Sequence, residues 1–143
     1  MSVEPTRVLF VCEGNICRSA MAEWLANHTL PGVHAESAGF RRGEPMTPHS
    51  LTLLRDRAGI DASSHVSRNI ADVDADAGAG VFDVIVAIHL QIAERLRAEH
   101  GITADIVWDV PDPVGTAIDG FRVTYEQVEQ AVAGLPEAIG DHR

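Results

Sequence analysis

Apolar residues along this chain fall into short runs that alternate between two periods. Val8-Leu-Phe-Val-Cys12, behind Arg7, is an unbroken apolar run, the pattern of a strand buried on both faces. Glu13 to Arg18 is polar and compact, and predicts a loop. From Ser19 to Leu30, Met21, Trp24, Leu25 and Leu30 suit a helix, which Pro31-Gly32 ends. Val33 to Ala38 reads as a second strand, broken by Gly39. Pro48 to Ala58 carries Leu51, Leu53 and Leu54 and predicts a second helix closed by Gly59. Asn69 to Gly80 is rich in Asp, Ala and Gly and predicts a loop or a frayed short helix. Phe82 to Ile88 is the clearest strand, and Leu90 to His100 a helix with Gly101 as its stop. Ala104 to Val110 predicts a fourth strand, leading into the stiff turn Pro111-Asp-Pro113. Phe121 to Leu135 places Val128 and Val132 on one helical face, with Pro136 as its end or kink.

Strands alternating with helices predict an α/β fold, a parallel sheet with helices on both faces. No internal repeat or linker interrupts the order, so residues 1–143 are expected to form a single domain. Sites in such sheets lie beyond the C-terminal ends of the strands. The loop after the first strand and the turn after the fourth leave from that edge. Cys12 and Asp112 are therefore expected across one crevice.

Composition narrows the chemistry. The 143 residues are 45% hydrophobic and 22% charged, which is ordinary for a globular domain with a real core. All 11 basic residues are arginine; against 21 acidic residues they leave a formal net charge of -10. Without lysine there is neither a Schiff-base amine nor a Walker lysine. The acidic balance argues against nucleic-acid or anionic-membrane partners. Val8 to Cys12, the longest early apolar stretch, is too short for a membrane span or a signal segment. Glu4 precedes it and no basic run does, so a cytoplasmic chain without membrane insertion is expected. Two cysteines, Cys12 and Cys17, suit a reduced compartment and a chemical role better than a disulfide scaffold.

The segment Cys12-Glu-Gly-Asn-Ile-Cys-Arg18-Ser19 is C-x5-R-S at a strand-to-helix junction. Successive N–H groups in such a loop form an anion nest, and the following helix points its positive end at the same place. Gly14 permits an unusual backbone, and Asn15 tolerates left-handed geometry and can tie the loop to itself. Arg18 offers a planar fork to two phosphoryl oxygens. These donors stabilise a Cys12 thiolate, and Ser19 is placed to donate to its sulfur. A thiolate with an oxyanion cradle attacks phosphorus. Asp112, its backbone restricted by Pro111 and Pro113, is the natural proton donor to the leaving group and could later activate water.

The string Val8 to Ser19 closely resembles the active-site signature of the low-molecular-weight protein tyrosine phosphatases. The resemblance covers nearly the whole chain: Glu36-Ser-Ala-Gly39, Gly59-Ile-Asp61, His65-Val-Ser-Arg68 and Asp109-Val-Pro-Asp-Pro113 look like further blocks of that family. It implies a four-stranded parallel sheet in the order 2-1-3-4, and no metal or organic cofactor. It implies Cys12 as nucleophile, Arg18 as phosphate-binding residue and Asp112 as general acid. The phosphate loop would comprise Glu13, Gly14, Asn15, Ile16, Cys17, Arg18 and Ser19, with Ser37 and His65 supporting it. Cys17 would be a redox partner able to bridge reversibly to Cys12 and shield it from over-oxidation. The implied partner is a phosphotyrosine-bearing protein, with a bacterial tyrosine kinase as one family-level example.

Several positions depart from the family pattern. Ala20 stands where proline is usual, and His89 where an acidic residue is common. Val114-Gly115 replaces the aromatic pair common in eukaryotic members, which leaves a lower, wider pocket wall. Phe40 is the candidate to flank the substrate instead, against the alternative of an ordinary core residue. Arg41 and Arg42 read as a solvated basic turn, or as an attraction for acidic peptide or a second phosphate. Asp72-Val-Asp-Ala-Asp76 follows half of a calcium loop. Ala77 replaces the required glycine and Asp83 the closing glutamate, so a solvated acidic loop is expected. The seven histidines lack H-x3-H spacing, and no metal site is expected.

The leading functional reading is phosphotyrosine hydrolysis through a phosphocysteine. Arginine phosphatase is an alternative, and Ile16 counts against it, since members acting on phosphoarginine resemble this loop but carry Thr there. Arsenate reduction on the same scaffold would need an external thiol, because no cysteine follows Cys17. A non-catalytic phosphate-binding module would require neither nucleophile nor acid.

Overall fold

The computed structural model describes residues 4–76 and 79–142. Its strands β1 (Thr6–Val11), β2 (Val33–Ala38), β3 (Val84–Ala87) and β4 (Ile106–Val107) form one four-stranded parallel sheet in the order β2-β1-β3-β4. The apolar run of β1 explains its central place. Val8 pairs with Ala35 on one side and Val84 on the other, and Val8 to Val11 are fully buried.

Alternation along β1 and β3 feeds two cores. Val8, Phe10, Val84 and Val86 pack on one face with α1 (Arg18–Thr29), α2 (Pro48–Ala58), α5 (Ile118–Ala133) and α6 (Leu135–His142). Leu9, Val11, Ile85 and Ala87 pack on the other with α3 (Ile70–Asp76) and α4 (Leu90–His100). Full burial of each large side chain stabilises by roughly 1.5–3 kcal/mol. These six helices and four strands put the C-terminal ends of β1 and β4 on the same edge.

Four expectations need correcting. The Asp-rich segment is not only loop: Ile70 and Val73 are fully buried in the second core, so packing makes a helix of residues whose composition opposes one. The acidic run of that segment continues into Ala77, which lies outside the described residues. β3 is shorter than Phe82–Ile88, and β4 is two residues rather than Ala104–Val110. β4 is an edge strand held from one side, yet Trp108 and Val110 continue the direction, donating to the carbonyls of Ala87 and Ile88 at 2.8 and 3.1 Å. The last helical stretch is two helices. Pro136 lacks an N–H and cannot continue α5, but it fits as the second residue of α6.

Candidate active site

Residues 12–18 leave the C-terminal end of β1 and turn into α1. Asn15 is fully buried and holds φ +56°, the left-handed geometry anticipated for it. Its side chain explains why that backbone is tolerated. Nδ2 donates to Ser19 Oγ at 2.9 Å and to Ser37 Oγ at 2.8 Å, while Oδ1 accepts from the Arg68 N–H at 2.9 Å. With Ser19 Oγ already accepting from Asn15, its own hydrogen goes to Cys12 Sγ at 2.8 Å, the nearer of two acceptors. The Ser19 backbone N–H points at the same sulfur, 3.4 Å away. Ser37 passes its hydrogen to Glu23 Oε1 at 2.8 Å. Burial pushes the Glu23 carboxyl above its usual range, opposed by this bond and by the charge of His65.

No side chain caps the start of α1, and its first turn carries no acidic residue. That leaves the positive end of the helix for an anion. Arg18 is 5% exposed. One of its nitrogens donates to the Val110 carbonyl at 2.9 Å and another lies 3.8 Å from Asp112 Oδ2. This arginine therefore ties the loop after β1 to the turn after β4. Asp112 Oδ1 accepts from the Val114 N–H at 3.0 Å, which orients the half-exposed carboxylate.

A small cavity of about 50 Å³ is lined by Cys12, Glu13, Gly14, Ile16, Cys17, Arg18, Arg41, Asp112 and Val114. The structure thus brings together Cys12, Arg18 and Asp112 from distant parts of the chain. Asn15 and Ser19 lie behind this cavity, bracing it through their side chains. A wider cleft of about 390 Å³ shares Glu13, Arg18 and Asp112 and extends to His89, Gln91 and Arg95. His89 sits at the start of α4, where its Nδ1 accepts from the Gln91 N–H, and Nε2 is 3.5 Å from Asp109. Cys12 and Cys17 are both free thiols. Burial pushes the Cys17 thiol up to about 12, against a lowering contact from Ser50.

Phe40 does not line the small cavity. Its ring packs against the second core, beneath the Arg95 guanidinium at 3.8 Å and beside His100. The apolar run around it decided its direction, because the exposed alternative would strand a phenyl ring in water. Arg41 takes the wall position instead, while Arg42 turns away to pair with Asp72 at 2.9 Å. Among the described residues no cluster of three metal-ligating side chains occurs, and no helix is long and apolar enough to cross a membrane.

This geometry agrees with a match of residues 7–143 to the low molecular weight phosphotyrosine protein phosphatase family. The chain belongs to that family. It is 31% identical to a low molecular weight protein-tyrosine-phosphatase of Streptomyces coelicolor, over 93% of each chain. It is 30% identical to a protein-arginine-phosphatase of Geobacillus stearothermophilus, over 94% of this chain and 97% of the relative. The structure of a low molecular weight protein tyrosine phosphatase from T. tengcongensis superposes with a TM-score of 0.80 at 28% identity, covering 92% of this chain and 98% of that one.

The family's phosphate loop depends here on residues that pattern reading passed over. Gly39 was read as a strand breaker. A Cβ there would sit 2.7 Å from the Glu13 carbonyl, 2.8 Å from the Asn15 nitrogen and 2.9 Å from the Cys12 carbonyl. Glycine is required because the loop backbone rests on it. Arg68 contributes its backbone N–H to Asn15 and its guanidinium to Glu36 at 2.7 Å. The glycine ending Ser-Ala-Gly was the only local signal for either.

Proposed function

We propose that this chain hydrolyses phosphotyrosine in proteins through a phosphocysteine intermediate. The observation that carries the reading is the convergence of Cys12, Arg18 and Asp112 on one small cavity at an uncapped helix start. The Cys12 thiolate attacks phosphorus while Arg18 and the loop N–H groups hold the equatorial oxygens. As the bond from phosphorus to the tyrosine oxygen breaks, Asp112 gives its proton to the phenoxide. Asp112, now a carboxylate, takes a proton from water as that water attacks the phosphocysteine. Inorganic phosphate leaves and the Cys12 thiolate is restored. The Ser19 hydroxyl bonded to Sγ stabilises the departing thiolate in this second step.

Ile16 and Val114 put hydrocarbon on the wall, which suits an aryl ring better than a guanidinium. Cys17 is the proposed resolving thiol: peroxide converts Cys12 to a sulfenic acid, and attack by Cys17 forms a disulfide and releases water. Peroxide inactivation that a small thiol fails to reverse would exclude this role.

The deciding experiment is phosphate release from an aryl phosphate and a phosphotyrosine peptide by the wild type and Cys12→Ser. The serine variant is expected to lose turnover by a factor on the order of 10⁴ or more while still binding inorganic phosphate. Full activity in that variant would sink the mechanism. Preference for a phosphoarginine peptide would move the assignment to arginine phosphatase. Arsenate turnover with added thiol, and none on aryl phosphate, would move it to arsenate reduction.

A further inference from the structure

The loop has a second brace behind the cavity. The half-buried indole of Trp24, on α1, donates its Nε1–H to His65 Nδ1 at 3.1 Å, and the two rings meet edge to face. An indole N–H can only donate, so Nδ1 is the bare nitrogen of the neutral ring. The ring proton then sits on Nε2, which donates to the Asn15 carbonyl at 2.8 Å. A carbonyl can only accept, so both bonds hold together in one tautomer alone. In the other tautomer an N–H would face an N–H at the indole, and a lone pair would face a lone pair at Asn15.

Asn15 is the residue whose left-handed backbone and side-chain bonds carry the relay to Ser19 and Cys12. Trp24 and His65 also line a cleft of about 490 Å³ that shares no residue with the small cavity. The charged and titratable groups facing His65 there are Glu23 from α1, His34 and Glu36 from β2, and Arg68.

We propose that Trp24 is a positioning residue of the phosphate loop: its N–H holds His65 in the Nε2–H tautomer, and that ring pins the Asn15 carbonyl and so the alignment of Cys12. The kinetic consequence rests on the phosphatase reading; the tautomer does not.

Long-range ¹⁵N–¹H correlation spectra of the wild type at neutral pH are expected to show His65 as Nε2–H. An Nδ1–H ring or an imidazolium would overturn the proposal, and this arm needs no variant. Trp24→Phe keeps an aromatic ring and removes only the donor. It is expected to mix the two tautomers and lower kcat on an aryl phosphate about fivefold, the value of one lost hydrogen bond, with little change in KM. In a His65→Ala background the same substitution is expected to change kcat no further. An equal loss in both backgrounds would show that Trp24 acts by packing, and the proposal would fail. If the wild type released no phosphate at all, the phosphatase reading would fail while the spectra still decided the tautomer.

Discussion

The two halves of the site are built on opposite terms. The loop after β1 is a buried floor: Asn15 and Ser19 are fully buried, and every polar group of the Asn15 side chain is engaged. The turn after β4 is an open roof, where Asp112 is 44% exposed at its side chain and Val114 57% exposed. Arg18 is the link, inside the floor but bonded to Val110 at the root of the roof. The difference teaches where each kind of residue gets its accuracy. The floor must present several donors to one anion, so it is locked by packing and hydrogen bonds. The roof delivers one proton, and two prolines with a short Asp112–Val114 contact suffice to aim it.

If the floor is as tight as its contacts imply, Gly39→Ala should be the most damaging small change. The added methyl meets backbone rather than a movable side chain. A loss of about 3 kcal/mol in urea unfolding is expected, with turnover down at least about 100-fold as the loop shifts. Near-normal stability and turnover would mean that the floor can yield.

Asp112→Asn tests the roof. Loss of about 100-fold is expected on esters with poor leaving groups, and far less on good ones. Unfolding free energy should move by less than about 0.5 kcal/mol, because the residue is exposed. A large stability change would erase the contrast between the halves.

The burial of Cys17 sets a third test. Its folded pKa, raised by burial from 9.0 to about 12, exceeds its unfolded one. The stability it contributes is therefore complete below about pH 9 and is lost as pH rises toward about 12. Relative to Cys17→Ala, the wild type should lose up to about 1.4 kcal/mol per pH unit across that window. Parallel stability curves for the two proteins would place the thiol in a wetter environment than its surroundings imply.

The smallest effect is expected from Val114→Tyr. An aromatic ring on this open edge should lower KM for aryl phosphates about threefold, within the range of one added aromatic contact. No change in KM would mean that the substrate ring leans toward Arg41 or the wider cleft instead.

Much of this molecule was legible before any coordinates. The alternating apolar runs predicted the parallel sheet, and Pro48–Ala58 and Leu90–His100 were bounded correctly because both end in a left-handed glycine. The C-x5-R string named the loop because phosphate binding demands those residue types at that spacing. The rest failed for identifiable reasons. The Asp-rich segment became α3 because Ile70 and Val73 found a core to enter. Phe40 turned inward beneath Arg95, a partner that lies on another element and leaves no trace near it in sequence.

What the sequence determined by itself was local: periodicity, caps, the left-handed Asn15, and the chemistry available at Cys12, Arg18 and Asp112. Such features depend on neighbours a few residues apart. Only the tertiary structure decided which distant groups meet: Arg18 with Val110, Asn15 with Ser37 and Arg68, and Trp24 with the one face of His65 that leaves its other nitrogen for the loop. Hydrogen bonds of that kind are settled by crossing angles and by burial, which make an unpaired donor costly.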